Sequence, residues 1–214
     1  MTHNSPRNKR EQVSFDDEPL VVVDEQDRVL GYLDKASCHD GNGVLHRAFS
    51  IFIFDSRGRL LIQQRSAGKR LWPLYWSNSC CSHPRKGESL EQAVHRRLQE
   101  ELGFDTDLQY VFKFSYFARF GQQGSERELC AVYIGQSDGP VSVHPEEVHT
   151  WRWAPLEELT REMIETPDTF TPWFRMEWDR LLRDYRAPLA ALVGEALPTL
   201  KGLDPLQLSP PSAR

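Results

Sequence analysis

The chain has 214 residues, of which 39% are hydrophobic and 27% are charged, and its formal net charge is −5. This length and composition predict one globular domain with tails. The acidic balance argues against a general nucleic-acid binder, and no apolar run reaches the roughly 18 residues that a membrane span needs. The first residues carry no apolar segment typical of a secretory signal. Two of the four cysteines, Cys80 and Cys81, are adjacent and none shows CxxC spacing, which indicates a reducing, cytoplasmic environment.

Composition shifts divide the chain into three parts. Residues 1–18 are polar and charged, which predicts a disordered N-terminal tail. Residues 19–186 hold the apolar periodicity of a folded domain. Residues 187–214 form a Pro/Ala-rich extension in which one short helix is expected.

Strands are expected to dominate the first two thirds of the domain. The predicted strands are, in chain order, Leu20–Val23, Arg28–Leu33, Leu45–Phe54, Arg59–Arg65, Leu108–Phe117, Glu126–Ile134 and Val148–Trp153. The first two flank a polar segment typical of a hairpin loop. In the fifth, alternate apolar residues are predicted to share one face: Leu108, Tyr110, Phe112, Phe114 and Tyr116.

Three helices are expected, over Leu90–Leu102, Leu156–Glu165 and Pro172–Arg186. The first has the clearest boundaries, because Ser89 and Gln92 form a capping-box sequence and Gly103 follows as a left-handed cap. Strands followed by a helix and further strands predict an α+β fold with a mixed sheet.

The end of the first helix has an unfavourable charge pattern. Glu100 and Glu101 lie in its last turn, where exposed carbonyls already make the helix end negative. One interpretation is a solvated charged face, in which Arg96 and Arg97 offset part of the cost by i,i+4 pairing. The other is a cation, such as a metal ion, bound at that helix end.

The spacing around this helix favours the second interpretation. It reads Ser82-x5-Glu88-x7-Arg96-Arg97-Leu98-x-Glu100-Glu101-x-Gly103-Phe104 and resembles the Nudix box, G-x5-E-x7-R-E-U-x-E-E-x-G-U. In that family, the loop-helix-loop binds a divalent ion that holds a diphosphate. Ser82 replaces the first glycine and Arg97 replaces a metal-binding glutamate. The resemblance implies a Nudix-like mixed β-sheet sandwiched by helices, with the box adapted to bind a diphosphate rather than to cleave it.

A second motif lies just upstream. The run Trp72-Pro73-Leu74-Tyr75-Trp76-Ser77-Asn78-Ser79-Cys80-Cys81-Ser82-His83-Pro84 resembles the W-P-x-x-W-[ST]-N-S-x-C-x-H-P motif of the type 1 isopentenyl-diphosphate Δ-isomerases. These are metal-dependent, flavin-free enzymes on a Nudix scaffold, and the resemblance extends from about Lys35 to Trp173. It implies interconversion of isopentenyl and dimethylallyl diphosphates through a tertiary carbocation. It also implies a small-molecule diphosphate substrate, no nucleic-acid or membrane partner, and a monomer or weak dimer.

The resemblance also implies roles for individual residues. Proton transfer falls to Cys81, Glu128 and Tyr116. A site for Mg²⁺, Mn²⁺ or Zn²⁺ is implied at His39, His46, His83, Glu126 and Glu128. A second Mg²⁺, bridged to the substrate diphosphate, is implied at Glu101 and the backbone carbonyl of Cys81. Diphosphate binding is implied for Lys35, Arg65, Lys69 and Arg97, and Trp173 is expected to cover the substrate.

Each of these residues also has a structural interpretation. A lone histidine is usually solvent-exposed or satisfied, and Glu126 and Glu128 on one strand face could be a surface pair. Tyr116 and Trp173 fit core aromatics, and Cys81 fits an inert buried thiol. Two other functions remain open: a Nudix pyrophosphohydrolase acting on nucleotides or prenyl diphosphates, and an inactive module that binds diphosphate or metal. Arg97 and the cysteine–histidine segment count against the hydrolase.

Overall fold

The computed structural model describes residues 12–199. Within them lie nine strands: β1 (Pro19–Val23), β2 (Val29–Asp34), β3 (His46–Phe54), β4 (Leu60–Arg65), β5 (Trp76–Ser77), β6 (Cys80–Ser82), β7 (Leu108–Phe120), β8 (Gly124–Gln136) and β9 (Val148–Ala154). The helices are α1 (Lys35–His39), α2 (Leu90–Leu102), α3 (Leu156–Glu165), α4 (Pro172–Arg183) and α5 (Arg186–Val193). Short 3-10 turns occur at Pro167–Thr169 and Gly194–Ala196. None of the helices within residues 12–199 is long and apolar enough to cross a membrane.

The strands form one mixed sheet built around β3. Hydrogen bonds connect the strands in the order β2-β1-β3-β4-β5, with β6 also on β3 and β9 on β4. Strand β8 runs parallel to β3, with His46 opposite Glu128 and Phe54 opposite Gln136, and β7 pairs antiparallel with β8. A parallel pair needs a long crossover, which here contains α2 and the β7 strand.

The two faces of the sheet are buried in two separate cores. Along β3, Phe49, Ile51 and Ile53 pack with α2, whereas Phe52 and Phe54 pack on the opposite face with α3, α4 and α5. This alternation follows from the two-residue period of a strand. The predicted mixed sheet sandwiched by helices is therefore confirmed.

Helix α2 begins and ends where its sequence signals predict. The Ser89 hydroxyl accepts a hydrogen bond from the Gln92 backbone N–H at 3.1 Å, and the Gln92 side chain accepts one from the Ser89 N–H at 3.0 Å. Gly103 has φ +78°, the left-handed conformation that a glycine adopts without strain. The helix therefore presents its last turn at a fixed place beside the sheet.

Strand β7 differs from its predicted pattern. A register shift lies between Tyr110 and Phe112, so Leu108 packs in the α2 core while Tyr110 is exposed. The bulge adds one residue to the strand and exchanges its faces. Phe112, Phe114 and Tyr116 share a face as expected.

Both ends of the domain extend beyond the predicted boundaries. Val13, Ser14 and Glu18 contact the domain through Arg97, Lys35 and Arg85, so residues 12–18 are not a free tail. The predicted helix over 172–186 ends at Arg183, and α5 begins at Arg186. Leu189 and Val193 of α5 are buried in the core, so the folded domain continues past residue 186. Residues 1–11 and 200–214 lie outside the described part of the chain.

Candidate active site

Five side chains expected to bind a metal converge at the N-terminal end of β3. His39 ends α1, His46 begins β3, His83 follows β6, and Glu126 and Glu128 lie two apart on β8. One ligand atom from each lies within 4.8 Å of all the others. The parallel register sets His46 beside Glu128. Gly124 allows the C-terminal end of α1 to approach the start of β8, because a Cβ atom at this position would lie only 2.3 Å from the His39 carbonyl oxygen.

Backbone carbonyls set the proton positions of two of these histidines. Nδ1 of His39 lies 2.6 Å from the Lys35 carbonyl oxygen, and Nδ1 of His46 lies 2.7 Å from that of Val44. A carbonyl only accepts, so Nδ1 carries the proton and the Nε2 lone pair of the neutral ring points into the cluster.

The cluster therefore has more acceptors than donors. Nε2 of His39 lies 2.7 Å from Oε2 of Glu126, and Nε2 of His46 lies 3.7 Å from Oε1 of Glu128. Glu126 Oε2 and His46 Nε2 are buried and accept no hydrogen bond from the residues in 12–199. Facing lone pairs at these distances require a proton or a cation between them. Three imidazole nitrogens and two carboxylates fit a first-row divalent ion or Mg²⁺.

The charges of the cluster follow the same geometry. Burial raises the pKa of Glu128, but the facing imidazoles of His46 and His83 outweigh this effect and hold the pKa well below its usual range. Burial also raises the pKa of Glu126, but the adjacent His39 imidazole outweighs this effect and lowers the pKa. Burial lowers the pKa of His83 to about 4, so this imidazole is neutral at pH 7. Two ionised carboxylates beside the neutral His83 imidazole make this a negative, cation-binding site.

The proposed proton-transfer residues border the metal cluster. The Tyr116 hydroxyl donates a hydrogen bond to Glu128 Oε2 at 2.6 Å, since the β7–β8 register places the two residues opposite each other. Cys81 pairs with Ser50 of β3 and faces the same side as Tyr116, whereas Cys80 is buried in the core under α2. Burial raises the pKa of the Cys81 thiol to about 12, so the thiol is protonated at neutral pH.

Trp173 in the first turn of α4 forms an aromatic wall of the site. Its indole N–H donates to the Ser77 hydroxyl at 3.2 Å, which fixes the ring plane. Trp72 packs edge-on against it with ring centroids 5.2 Å apart, and the Arg65 guanidinium lies 5.2 Å from its ring centre. Trp173 is therefore both buried and at the edge of a polar cavity.

That cavity has a volume of about 580 Å³ and is lined by the proton-transfer residues Cys81, Glu128 and Tyr116. All four implied diphosphate cations also line it: Lys35, Arg65, Lys69 and Arg97. Arg65 donates to the carbonyls of Leu71 and Trp72 at 3.1 Å, which holds its loop. The structure brings these cations together from three separate parts of the chain.

Arg97 separates Glu101 from the cavity. Its Nη2 lies 2.5 Å from Glu101 Oε1, and the other Glu101 oxygen is 3.4 Å from the Gln63 amide. Glu101 does not line the cavity. As arranged here, Glu101 does not fit a Mg²⁺ ligand, because the ion would have to replace its ion pair with Arg97.

Two acidic residues of this region were not identified from sequence. Glu147 precedes β9 and lines the cavity beside Lys69 and Arg97. Glu177, one turn after Trp173 on α4, is fully buried beneath the site. No sequence signal marks Glu147, because an acidic residue just before a strand is typical of an exposed position. For Glu177, its spacing of four from Trp173 was an available signal, because the two share a helix face.

Comparison with known proteins agrees with this geometry. Residues 44–174 match the NUDIX domain family. The isopentenyl-diphosphate Delta-isomerase of Serratia proteamaculans is 48% identical over 158 residues, which cover 74% of this chain and 88% of that protein. The enzyme of the same name from Burkholderia multivorans is 44% identical over 164 residues, covering 77% and 93%. The chain belongs to the isopentenyl-diphosphate Delta-isomerase family, on the Nudix fold.

Solved structures support the fold of this family member. A protein from Deinococcus radiodurans superimposes with a TM-score of 0.58 at 24% identity and covers 70% of this chain and 90% of its own. A MutT protein from Methanosarcina mazei gives a TM-score of 0.54 at 19% identity, covering 66% and 96%. At these identities the likeness concerns the fold alone.

Proposed function

We propose that the protein interconverts isopentenyl diphosphate and dimethylallyl diphosphate. The observation that carries the proposal is that a thiol, a carboxylate and a buried tryptophan, Cys81, Glu128 and Trp173, border one cavity. The same cavity is lined by four cations suited to a diphosphate. The curated relatives named above bear the name of this activity.

Moving a double bond by one position needs one proton donor and one proton acceptor. At neutral pH the Cys81 thiol is protonated and Glu128 is ionised, so the pair holds one proton and one free acceptor. One partner delivers a proton to a carbon of the substrate, and the other removes a proton from a second carbon. The pair then holds the same single proton on the other partner, and the reverse reaction returns it. Tyr116, bonded to Glu128, supplies a hydrogen bond whose strength changes with the carboxyl charge.

The intermediate carbocation needs a face that stabilises it without reacting. The indole ring of Trp173 offers such a face, and a cation–π contact in a dry site contributes about 2 kcal/mol. The hydrogen bond to Ser77 keeps the ring from rotating into the cavity. Of the carboxylates that line the cavity, Glu126 and Glu128 are engaged by metal-site histidines, and Glu147 is engaged by Lys69 and Arg97.

His39, His46, His83, Glu126 and Glu128 would hold the divalent cation expected for the family. When bound, the cation would supply positive charge that keeps both carboxylates ionised and fixes their orientation. A further Mg²⁺ at Glu101 stays a prediction, because it requires the ion pair with Arg97 to open. A cytosolic monomer or weak dimer acting on a small diphosphate likewise stays a prediction.

The alternative of a Nudix pyrophosphohydrolase is disfavoured by Arg97. A buried guanidinium with a carboxylate partner stands where the Nudix box has a metal-binding glutamate. The direct test incubates the purified protein with Mg²⁺, Mn²⁺ or Zn²⁺ and isopentenyl diphosphate, and analyses the products by NMR and a phosphate assay. Dimethylallyl diphosphate supports the proposal. Released phosphate or pyrophosphate supports the hydrolase, and an unchanged substrate supports an inactive binding module.

A further inference from the structure

Glu147 lies where the loop after β4 meets the start of β9. The residue is only 5% exposed, yet it lines the cavity. Its backbone carbonyl accepts a hydrogen bond from the Ser66 N–H at 2.9 Å, and its carboxylate accepts one from Lys69 and forms an ion pair with Arg97 Nη2 at 3.1 Å. Glu147 thus holds both the backbone and the ammonium group of the cation-bearing loop.

The Arg97 side of this arrangement is rigid. Arg97 is 3% exposed, and besides its ion pair with Glu147 its two terminal nitrogens donate to Val13 O at 2.8 Å, Glu100 at 3.0 Å and Glu101 at 2.5 Å. A planar guanidinium with this many partners has one orientation. Glu147 is therefore oriented by a fixed group.

The Lys69 side is adjustable. Its side chain is 21% exposed, and its ammonium group is carried by a flexible four-carbon stem that loses considerable rotamer entropy when it is ordered. Lys35 and Lys69 line the same cavity, and burial together with the Lys69 charge lowers the pKa of Lys35, so the two ammonium groups repel. Without a carboxylate partner, repulsion would drive the Lys69 ammonium away from Lys35.

We propose that Glu147 is a positioning residue, which uses the rigid Arg97 as its support to hold the Lys69 ammonium where the substrate diphosphate is received. The inference rests on the proposed function, because it takes the bound group to be the diphosphate of the isomerase substrate. Glu147 acts through Lys69 and does not touch the reacting carbons. Its role is to set the distance between the diphosphate and the proton-transfer pair.

A purely structural role for Glu147 would be as counter-ion of Arg97. The two roles differ in their dependence on Lys69. If Glu147 acts by positioning Lys69, removing its charge has little effect once Lys69 can no longer bind phosphate. If Glu147 only balances Arg97, removing its charge has the same effect with or without Lys69.

The test is a double-mutant cycle on the metal-loaded enzyme with isopentenyl diphosphate. The variants are Glu147→Gln, Lys69→Met and the combination, with Glu162→Gln as the control, because Glu162 pairs with Arg152 away from the cavity. Steady-state kcat and KM are measured together with the Kd for Mg²⁺-pyrophosphate by calorimetry. We expect Glu147→Gln to lower kcat by about 10-fold or more, since small misplacement of substrate is costly.

The KM and pyrophosphate Kd of Glu147→Gln should change by less than about 3-fold, because all four cations that line the cavity are kept. In the Lys69→Met background, the same substitution should lower kcat by less than about 2-fold. An equal loss of kcat in both backgrounds, or unchanged kinetics in Glu147→Gln, overturns the inference. An unmutated protein that gives no allylic product overturns the proposed function instead, so the two failures are distinguishable.

Discussion

A buried carboxyl on α4 gives a sharp stability prediction. Glu177 is 0% exposed; its Oε1 lies 3.4 Å from the Cys130 sulfur, and its Oε2 has no hydrogen-bond partner among residues 12–199. Burial raises the pKa of this carboxyl to about 8, and the negative charge of Glu128 adds to the shift. Glu177→Gln replaces the neutral acid by an amide of the same shape that cannot ionise.

The magnitude follows from the proton linkage. The ordinary pKa of 4.5 applies to the unfolded chain, so between pH 4.5 and about 8 the folded protein holds a proton that the unfolded chain releases. Stability therefore falls as the pH rises through this window, by about 1.4 kcal/mol per pH unit. At pH 7 the loss is roughly 3 kcal/mol, and Gln does not incur it. Glu177→Gln should be more stable than the unmutated protein by about that amount at pH 7.

The assay is urea unfolding at pH 5, 7 and 8, with the metal removed by chelation in both proteins. The difference in free energy of unfolding should be below about 1 kcal/mol at pH 5 and should grow with pH. Glu162→Gln, which removes a partly exposed ion pair with Arg152, serves as the control and should differ by less than about 1 kcal/mol at every pH. A gain for Glu177→Gln that is equal at pH 5 and pH 8 would refute the argument from ionisation.

Local signals sufficed for part of the fold. The capping box of α2 and its glycine cap fixed both helix ends, because these hydrogen bonds involve residues within three or four positions. Strand β3 was predicted almost to the residue, since eight of its nine residues are buried and they lie on both faces of the sheet. The sheet with helices on both sides was implied by the resemblance to the Nudix family.

Other features depend on contacts that no local pattern encodes. Strand β6 has three residues, and the side chains of Cys80 and Cys81 face opposite cores because of its pairing with β3. The β7 bulge depends on the register with β8. Helix α1 has five residues, too few for a periodic signal, although it positions His39.

The candidate site also combines residues that sequence motifs indicate with contacts that depend on the fold. The motif residues around Cys81 could be assigned by resemblance, but the partners that determine their charge states could not. Glu147 is separated by 78 residues from Lys69, so no local sequence pattern indicates the ion pair between them. Arg97 was expected to contact phosphate directly, whereas its terminal nitrogens are engaged by protein groups, including the carbonyl of Val13 from the supposed tail. Long-range ion pairs of this kind require the three-dimensional structure.

Four further outcomes are expected. Cys81→Ala should lower kcat by about 10²–10⁴-fold with its melting temperature preserved, whereas Cys80→Ala, in the opposite core, should keep kcat; similar losses in both would contradict the assignment of faces. Deleting residues 1–17 should raise KM several-fold, because Arg97 loses the Val13 carbonyl, and an unchanged KM would show that this contact does not matter. His39→Ala should lose tightly bound metal, measured by elemental analysis after dialysis, together with turnover. Burial opposes protonation of His39, but the Glu126 charge outweighs it and raises the His39 pKa above its usual value, so protons compete with metal for Nε2. Metal affinity of the unmutated protein should therefore fall as the pH drops through that pKa, and added metal should move the loss of activity to lower pH. A His39→Ala protein with full metal content and turnover would place the metal elsewhere.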